Sequence, residues 1–410
     1  MTLQIARGRF VPSPKTLGEA LVAFGLAALT AWICISLSFE KGRLSLPSGY
    51  DDVVYLISGQ QWLNDLGTHG FFASLLGLIE QHAPPSTFVA IFSFLVWGPH
   101  NWSVYASNGV LLAVTLFFLL RYFLRGQLPL ALSALLLVCL VDIPFMQHAV
   151  TEFRPDLFAG IVTAFAILVL LEKPAYLEPR RTQIGLGLLF GFAFLCKPSE
   201  FLVTGFEITA AVLFSYAGFL RESPIASRQA ASLILKSFGF FLLGAAIVFG
   251  PYLLDQGAEI FAYMYTALFT LGDVNAFHAD RSAQFAYYLW NPAAGFVALG
   301  FWLWIGLAAM LTRLALTFGK ARKALPTTLA AYTTLGAIYL TLSLASVKSY
   351  FLGSTFYATF SFLLLRDAAW FARTAMRPNA TLAATVVAIF VLGLQRLFFP
   401  QLALATYNLG

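Results

Sequence analysis

Apolar stretches recur along this chain with too little polar sequence between them to build a water-soluble core. They lie near residues 17–38, 102–120, 127–144, 156–171, 184–196, 199–219, 237–254, 292–312, 326–345, 350–365 and 381–397. A helix crosses the roughly 30 Å hydrocarbon layer with about 17–25 largely apolar residues. The pattern therefore predicts an all-α integral membrane protein of about eleven transmembrane helices. Hydrophobic residues make up 59% of the chain and charged ones 11%, where soluble proteins average about 45–50% and about 25%. That imbalance excludes a soluble enzyme, a disordered chain and a nucleic-acid binder.

Arg7, Arg9 and Lys15 precede the first stretch in the manner of a signal peptide. The apolar part is long enough to span, and no small-residue cleavage site follows it. It reads as an uncleaved first helix with a cytoplasmic N-terminus. One further apolar piece, residues 85–97, is short for a span, and its placement sets the orientation of everything after it. Lys and Arg concentrate in cytoplasmic loops. If residues 85–97 do not cross, 18 of the 25 Lys and Arg lie inside; if they cross, only 8 do. The segment is accordingly expected to be interfacial or re-entrant. The outer surface then carries 13 of the 19 carboxylates and all 5 histidines. Residues 1–410 read as a single polytopic domain with outer stretches at 40–101 and 255–291 and no soluble domain. Cys34, Cys139 and Cys196 have neither disulfide-framework nor zinc spacing and read as inert buried thiols.

Chemistry is to be sought on the outer face. After Ser48-Gly49-Tyr50-Asp51-Asp52, the residues Val53, Leu56, Ile57, Leu63 and Leu66 recur at helical spacing, with Gln60, Gln61, Asn64 and Asp65 on the other side. This predicts a short amphipathic helix on the membrane surface, with both aspartates at its N-terminus. Asp51 suits the helix cap. The positive end of the helix dipole also keeps such a carboxylate ionised, as a general base must be. His82-Ala83-Pro84-Pro85 forms a rigid corner before the 85–97 segment, with His82 either solvated or part of a site. Thr151-Glu152-Phe153-Arg154-Pro155-Asp156 heads the fourth span. Charges are expensive at that depth, so Glu152, Arg154 and Asp156 form either a structural ion pair or a site.

Lys197 and Lys348 occupy two tight outer turns, against the positive-inside tendency and with no acidic residue next to them in sequence. They either snorkel or bind an anion, and lysine is a point-charge phosphate ligand. Arg281, with Asp273, His278 and Asp280, either contributes or is simply solvated.

Taken together, these residues resemble the GT-C membrane glycosyltransferases, among them protein O-mannosyltransferases and lipid A aminoarabinose transferases. Tyr50-Asp51-Asp52 resembles the Asp-Glu motif of their first outer loop, with Asp52 where the family usually has Glu. His82-Ala83-Pro84-Pro85 is similar to their His/Lys-Pro-Pro element, with Ala83 interposed. Arg154-Pro155-Asp156 resembles the second acidic position, Cys196-Lys197-Pro198 the Lys turn, and Lys348-Ser349-Tyr350-Phe351-Leu352 the late Lys-x-Tyr-x-Leu stretch. The five elements agree in order over roughly residues 17–366.

The resemblance implies a GT-C-like fold with juxtamembrane helices in the first outer loop. It also implies a polyprenyl-phosphate-linked sugar donor used on the non-cytoplasmic face. A chain of this size without a soluble domain suits a bacterial inner membrane, with the active site periplasmic and the acceptor a glycan, lipid or protein hydroxyl. Asp51 and Asp52 would be the catalytic pair. Lys197, Lys348, Arg154 and Tyr350 would hold the donor phosphate, and Asp156, Glu152 and His82 would orient the acceptor. Those last three could instead hold a divalent cation, the resemblance leaving metal dependence open. The alternative is a transporter or flippase of a lipid-linked or anionic substrate. That would place ionisable groups near mid-membrane in broken helices, where Glu207 is almost the only candidate. A non-catalytic scaffold, or a transferase that moves a whole glycan, is a more distant reading.

Overall fold

The computed structural model describes residues 14–42, 44, 51–70, 83–172, 180–198, 201–222, 227–266, 276–292, 294–319 and 325–374, with isolated positions at 72, 74, 77, 392 and 393. The described residues are helical almost throughout. In order, the elements are α1 (Pro14–Glu40), α2 (Asp51–His69), α3 (Pro84–Trp97), α4 (Ser103–Arg125) and α5 (Leu130–Asp142). There follow α6 (Pro144–Thr151), α7 (Pro155–Glu172), α8 (Arg180–Cys196), α9 (Phe201–Glu222) and α10 (Ser227–Tyr265). The last are α11 (Arg281–Trp290), α12 (Gly295–Leu299), α13 (Trp302–Gly319), α14 (Leu325–Leu344) and α15 (Ser354–Thr374). Among the described residues the one pairing of extended backbone is a bridge between Ala276 and Val347.

The distribution of side chains is inverted relative to a soluble protein. Leu21, Phe206 and Leu254 are 65%, 68% and 91% exposed, while Glu207, Arg366 and Asp367 are buried. A surface of that kind is stable only against lipid. Among the described residues, six helices are long and apolar enough to cross a membrane, or seven if the bent pair α5–α6 is one span. This is an all-α membrane protein.

Several elements differ from the sequence expectation. The span foreseen at 127–144 is α5 followed by α6, bent by 69°. The cause is Pro144, which cannot donate to the preceding turn and forces Ile143 out of helical geometry, at φ −65° and ψ 124°. The span foreseen at 292–312 breaks into α12 and α13 at Gly300, whose φ of 56° is open chiefly to glycine. The helix foreseen at 237–254 is the 39-residue α10, roughly 58 Å long at about 1.5 Å per residue. It therefore carries helix into the stretch expected to be a loop from residue 255. The 85–97 segment is α3, a 14-residue helix, shorter than a span. The stretch at 381–397 lies outside the described residues except for 392 and 393.

Packing sets α1 against α4, α8 against α10, α9 against α14, and α7 against α15. The α8–α10 contact is close because a Cβ on Gly187 would strike the Phe241 carbonyl oxygen, and one on Gly244 the Ile184 carbonyl oxygen. Small residues of this kind let backbones approach in a bilayer. Gly160 of α7 plays the same part against Ser354 and Thr355 of α15. At the far end of the same pair, Arg366 donates to Glu172 at 2.5 Å. Helices α7 and α15 are thus parallel and in register. Beside them Arg313 pairs with Asp367, which also accepts from Tyr332. Arg313 and Arg366 are buried within helices, each paired with a carboxylate that offsets part of the cost of its burial. The three cysteines are buried and reduced.

Candidate active site at the head of α7

The five sequence elements converge on the start of α7, to the extent that they are described. Residues 152–154 leave helical geometry between α6 and α7, with Glu152 extended, since Pro155 suits the first turn of a helix and disfavours helical geometry before it. Asn108 of α4 holds this segment by donating to the Val150 and Glu152 carbonyls at 3.1 and 2.9 Å. From that segment the side chains fan out. Phe153 meets the ring of Tyr55 edge-on at 6.4 Å. Tyr55 stands one turn into α2, so the helix that begins at Asp51 is seated at the head of α7. Ala83 and Ala90 pack into the same small cluster as Tyr55 and Phe153. The Asp51 and Asp52 side chains, Tyr50 and His82 lie outside the described residues.

Arg154 places its guanidinium 3.8 Å above the Phe351 ring, a cation–π contact. Asp156, in the first turn of α7, accepts from Lys197 at 3.3 Å. The two side chains are only 6% and 13% exposed. Lys197, expected to lack an acidic neighbour, therefore has one 41 residues away, supplied by helix packing.

Lys348 departs further from the expectation. Its ammonium donates to the Leu342 and Ser343 carbonyls at 2.6 and 2.7 Å, closing the C-terminus of α14 as basic residues do. It also lies 5.5 Å from the Tyr288 ring centroid. Two of its three N–H groups are thus directed to backbone. Burial lowers its pKa from 10.5 to about 8. The unfolded chain binds more protons than the folded one between those values, so stability rises with pH across that window. Thermal unfolding in detergent from pH 7 to 10.5 should show this rise, and Lys348→Met should flatten it.

Tyr350 is packed between His148, at 5.0 Å between centroids, and Tyr357, at 5.6 Å. Burial, and next the Glu152 carboxylate, push its phenol well above the usual range. Tyr288 and Tyr357 complete an aromatic cluster, with centroids 6.3 Å apart. Of this cluster, the sequence pointed only to Tyr350. His148, Tyr288 and Tyr357 sit within apolar runs, and their polar atoms carried no spacing signal. Arg281 opens α11, whose N-terminus Asp280 caps by accepting from the Ala283 amide at 2.6 Å.

Two cavities meet at this point. A groove of about 480 Å³ runs between α3, α4, α7 and α8, lined by Phe88, Phe92, Phe158, Phe192 and Leu195. It shares Val89, Leu111 and Phe158 with a pocket of about 40 Å³ that reaches Ser86, Asn108, Glu152 and Arg154. An apolar channel thus ends at polar and charged groups. Among the described residues no three His, Cys, Asp or Glu side chains converge in a metal-binding group. No family model, curated protein or solved structure matches the chain.

Proposed function

We propose that this protein is a GT-C-like glycosyltransferase that moves a sugar from a polyprenyl-phosphate donor to an acceptor hydroxyl. The observation that carries this reading is the apolar groove that shares Val89, Leu111 and Phe158 with the Glu152–Arg154 pocket, at the head of the helix whose Asp156 pairs with Lys197. An isoprenoid tail fits such a groove, and its phosphate then comes to rest near Arg154 and Lys197. Asp51 takes the acceptor's hydroxyl proton, and the oxygen attacks the anomeric carbon. The bond to the lipid phosphate breaks through an oxocarbenium-like state, with inversion. Fixed cations stabilise the charge gathering on the leaving phosphate, so no general acid is needed. Asp52, Glu152 and His82 orient the acceptor, Asp156 sets the position of Lys197, and Tyr350 borders the phosphate. Lys348 supports the same end by closing α14.

The reading places this end of the bundle at the periplasmic face of a bacterial inner membrane, with the N-terminus cytoplasmic. It also retains eleven spans, counting α8, α9 and α15 among them, α12 with α13 as one, and residues 381–397 as the last. Protein purified from its native membrane should carry a glycosylated polyprenyl phosphate, detected by lipid mass spectrometry. Recovery of bulk phospholipid alone would count against the donor class.

The transporter reading draws on the breaks at Pro144 and Gly300 and on the buried Glu207, features that suit broken-helix carriers. Substrate uptake into proteoliposomes without any glycosylated product would favour it.

A further inference from the structure

A second polar locus lies below the head of α7, in the core of the bundle. Glu207 of α9 is 1% exposed, and the Thr355 hydroxyl, in the first turn of α15, hydrogen-bonds its carboxyl. Thr359 follows one turn later on the same face of α15. Thr163 follows Gly160 on the face of α7 that touches Ser354 and Thr355. The Gly160–Thr355 and Glu172–Arg366 contacts fix the register of these parallel helices, and that register sets Thr163 and Thr359 at about one level.

Three buried oxygens of this layer, Glu207 Oε1, Thr163 Oγ1 and Thr359 Oγ1, have no hydrogen-bond partner among the described residues. Many helical hydroxyls bond their own helix instead, although those of Thr87 and Ser343 also lack a partner among the described residues. Thr334 donates to the Ala330 carbonyl and Ser361 to that of Tyr357, both four residues back. Thr163 and Thr359 leave their own helices unbonded, one turn from the Gly160–Thr355 contact beside which Thr355 meets the Glu207 carboxyl. An ionised carboxylate at that depth, with no ammonium or guanidinium hydrogen-bonded to it among the described residues, is costly, and such groups neutralise. Titratable groups on the helices packed around Glu207 are engaged elsewhere. Asp156 pairs with Lys197, Glu172 with Arg366, and Asp367 with Arg313 and Tyr332. Tyr339 donates to the Phe285 carbonyl, Arg373 to that of Ala369, and Tyr357 stands in the aromatic cluster. Arg180, Arg181 and Cys196 mark the ends of α8.

We propose that Glu207, with Thr163, Thr355 and Thr359, forms a proton-binding site inside the membrane bundle. In the loaded state the acid O–H donates to a threonine hydroxyl while Thr355 donates to the other carboxyl oxygen. On unloading, the O–H bond breaks and the proton passes to water. The resulting carboxylate is then met by the hydroxyls of Thr163 and Thr359. This site is independent of the transfer reading, and its failure leaves that reading untouched.

The test is infrared difference spectroscopy of the full chain in proteoliposomes, wild type against Glu207→Gln. A protonated-carboxyl carbonyl band that shifts in D2O and is lost in the variant is the expected result. Absence of that band from the wild type overturns the proposal. So does its removal by Na⁺ at constant pH, which would make the oxygens a metal-cation site. Should Glu207→Gln not fold, wild-type protein treated with dicyclohexylcarbodiimide gives the decision by peptide mapping. An N-acylurea on Glu207, lost at alkaline pH, supports the site, and an unlabelled Glu207 overturns it.

Discussion

Asp51→Asn is expected to lower sugar transfer by about 10²–10⁴-fold, the usual worth of a positioned general base. In an ordinary assay that is loss of activity. The substitution is chosen so that little else changes. Asn is nearly isosteric with Asp and serves about equally well at a helix N-terminus, so α2 should still begin where it does. Its contact with the head of α7 runs through Tyr55 and Phe153, which the change does not touch. The thermal midpoint should therefore hold while kcat falls. A drop in kcat with donor KM unchanged marks an interaction made only in the transition state. Asp52→Asn, measured beside it, identifies which of the two carboxylates takes the proton. Near-normal turnover by both single variants and by the double variant would remove the general base, and with it the mechanism.

What the sequence revealed and what it hid divide along a physical line. Local signals were legible. The Val53–Leu66 periodicity announced α2, which runs Asp51–His69, and Pro84-Pro85 announced the start of α3. The charged segment 151–156 was read as either a structural ion pair or a site, and the other elements, so far as they are described, meet there. Contacts between distant helices were not legible. Nothing near Lys197 signals Asp156, because the pair exists only through the packing of α8 against α7. Lys348 illustrates the converse case. Its carbonyl partners are five and six residues back, yet they become acceptors only because α14 ends there. The carboxylate partners of Arg313 and Arg366 were not legible either, since the pairs join residues 54 and 194 positions apart. Hydropathy counting passed over the break at Gly300 as well, because glycine interrupts geometry without interrupting apolarity.

Lys197→Ala should produce two losses that must be separated. As a phosphate ligand, Lys197 stabilises the departing donor phosphate, and its removal should cost about 10–1000-fold in donor kcat/KM, the scale of one transition-state donor. As the cation bound to Asp156, it also balances a carboxylate that is 6% exposed. Breaking a buried pair from one side typically costs about 3–5 kcal/mol, so the thermal midpoint should fall as well. The double variant Lys197→Ala/Asp156→Ala removes both charges and should recover much of that stability, because it leaves no carboxylate buried beside an alanine. It should recover none of the donor kinetics if the ammonium serves phosphate. Recovery of both together would make Lys197 a structural counter-ion and nothing more. Unchanged kinetics in Lys197→Ala alone would assign it the same purely structural role. The polar pocket at the end of the groove would then have to hold the phosphate through Arg154, whose guanidinium is already fixed over Phe351.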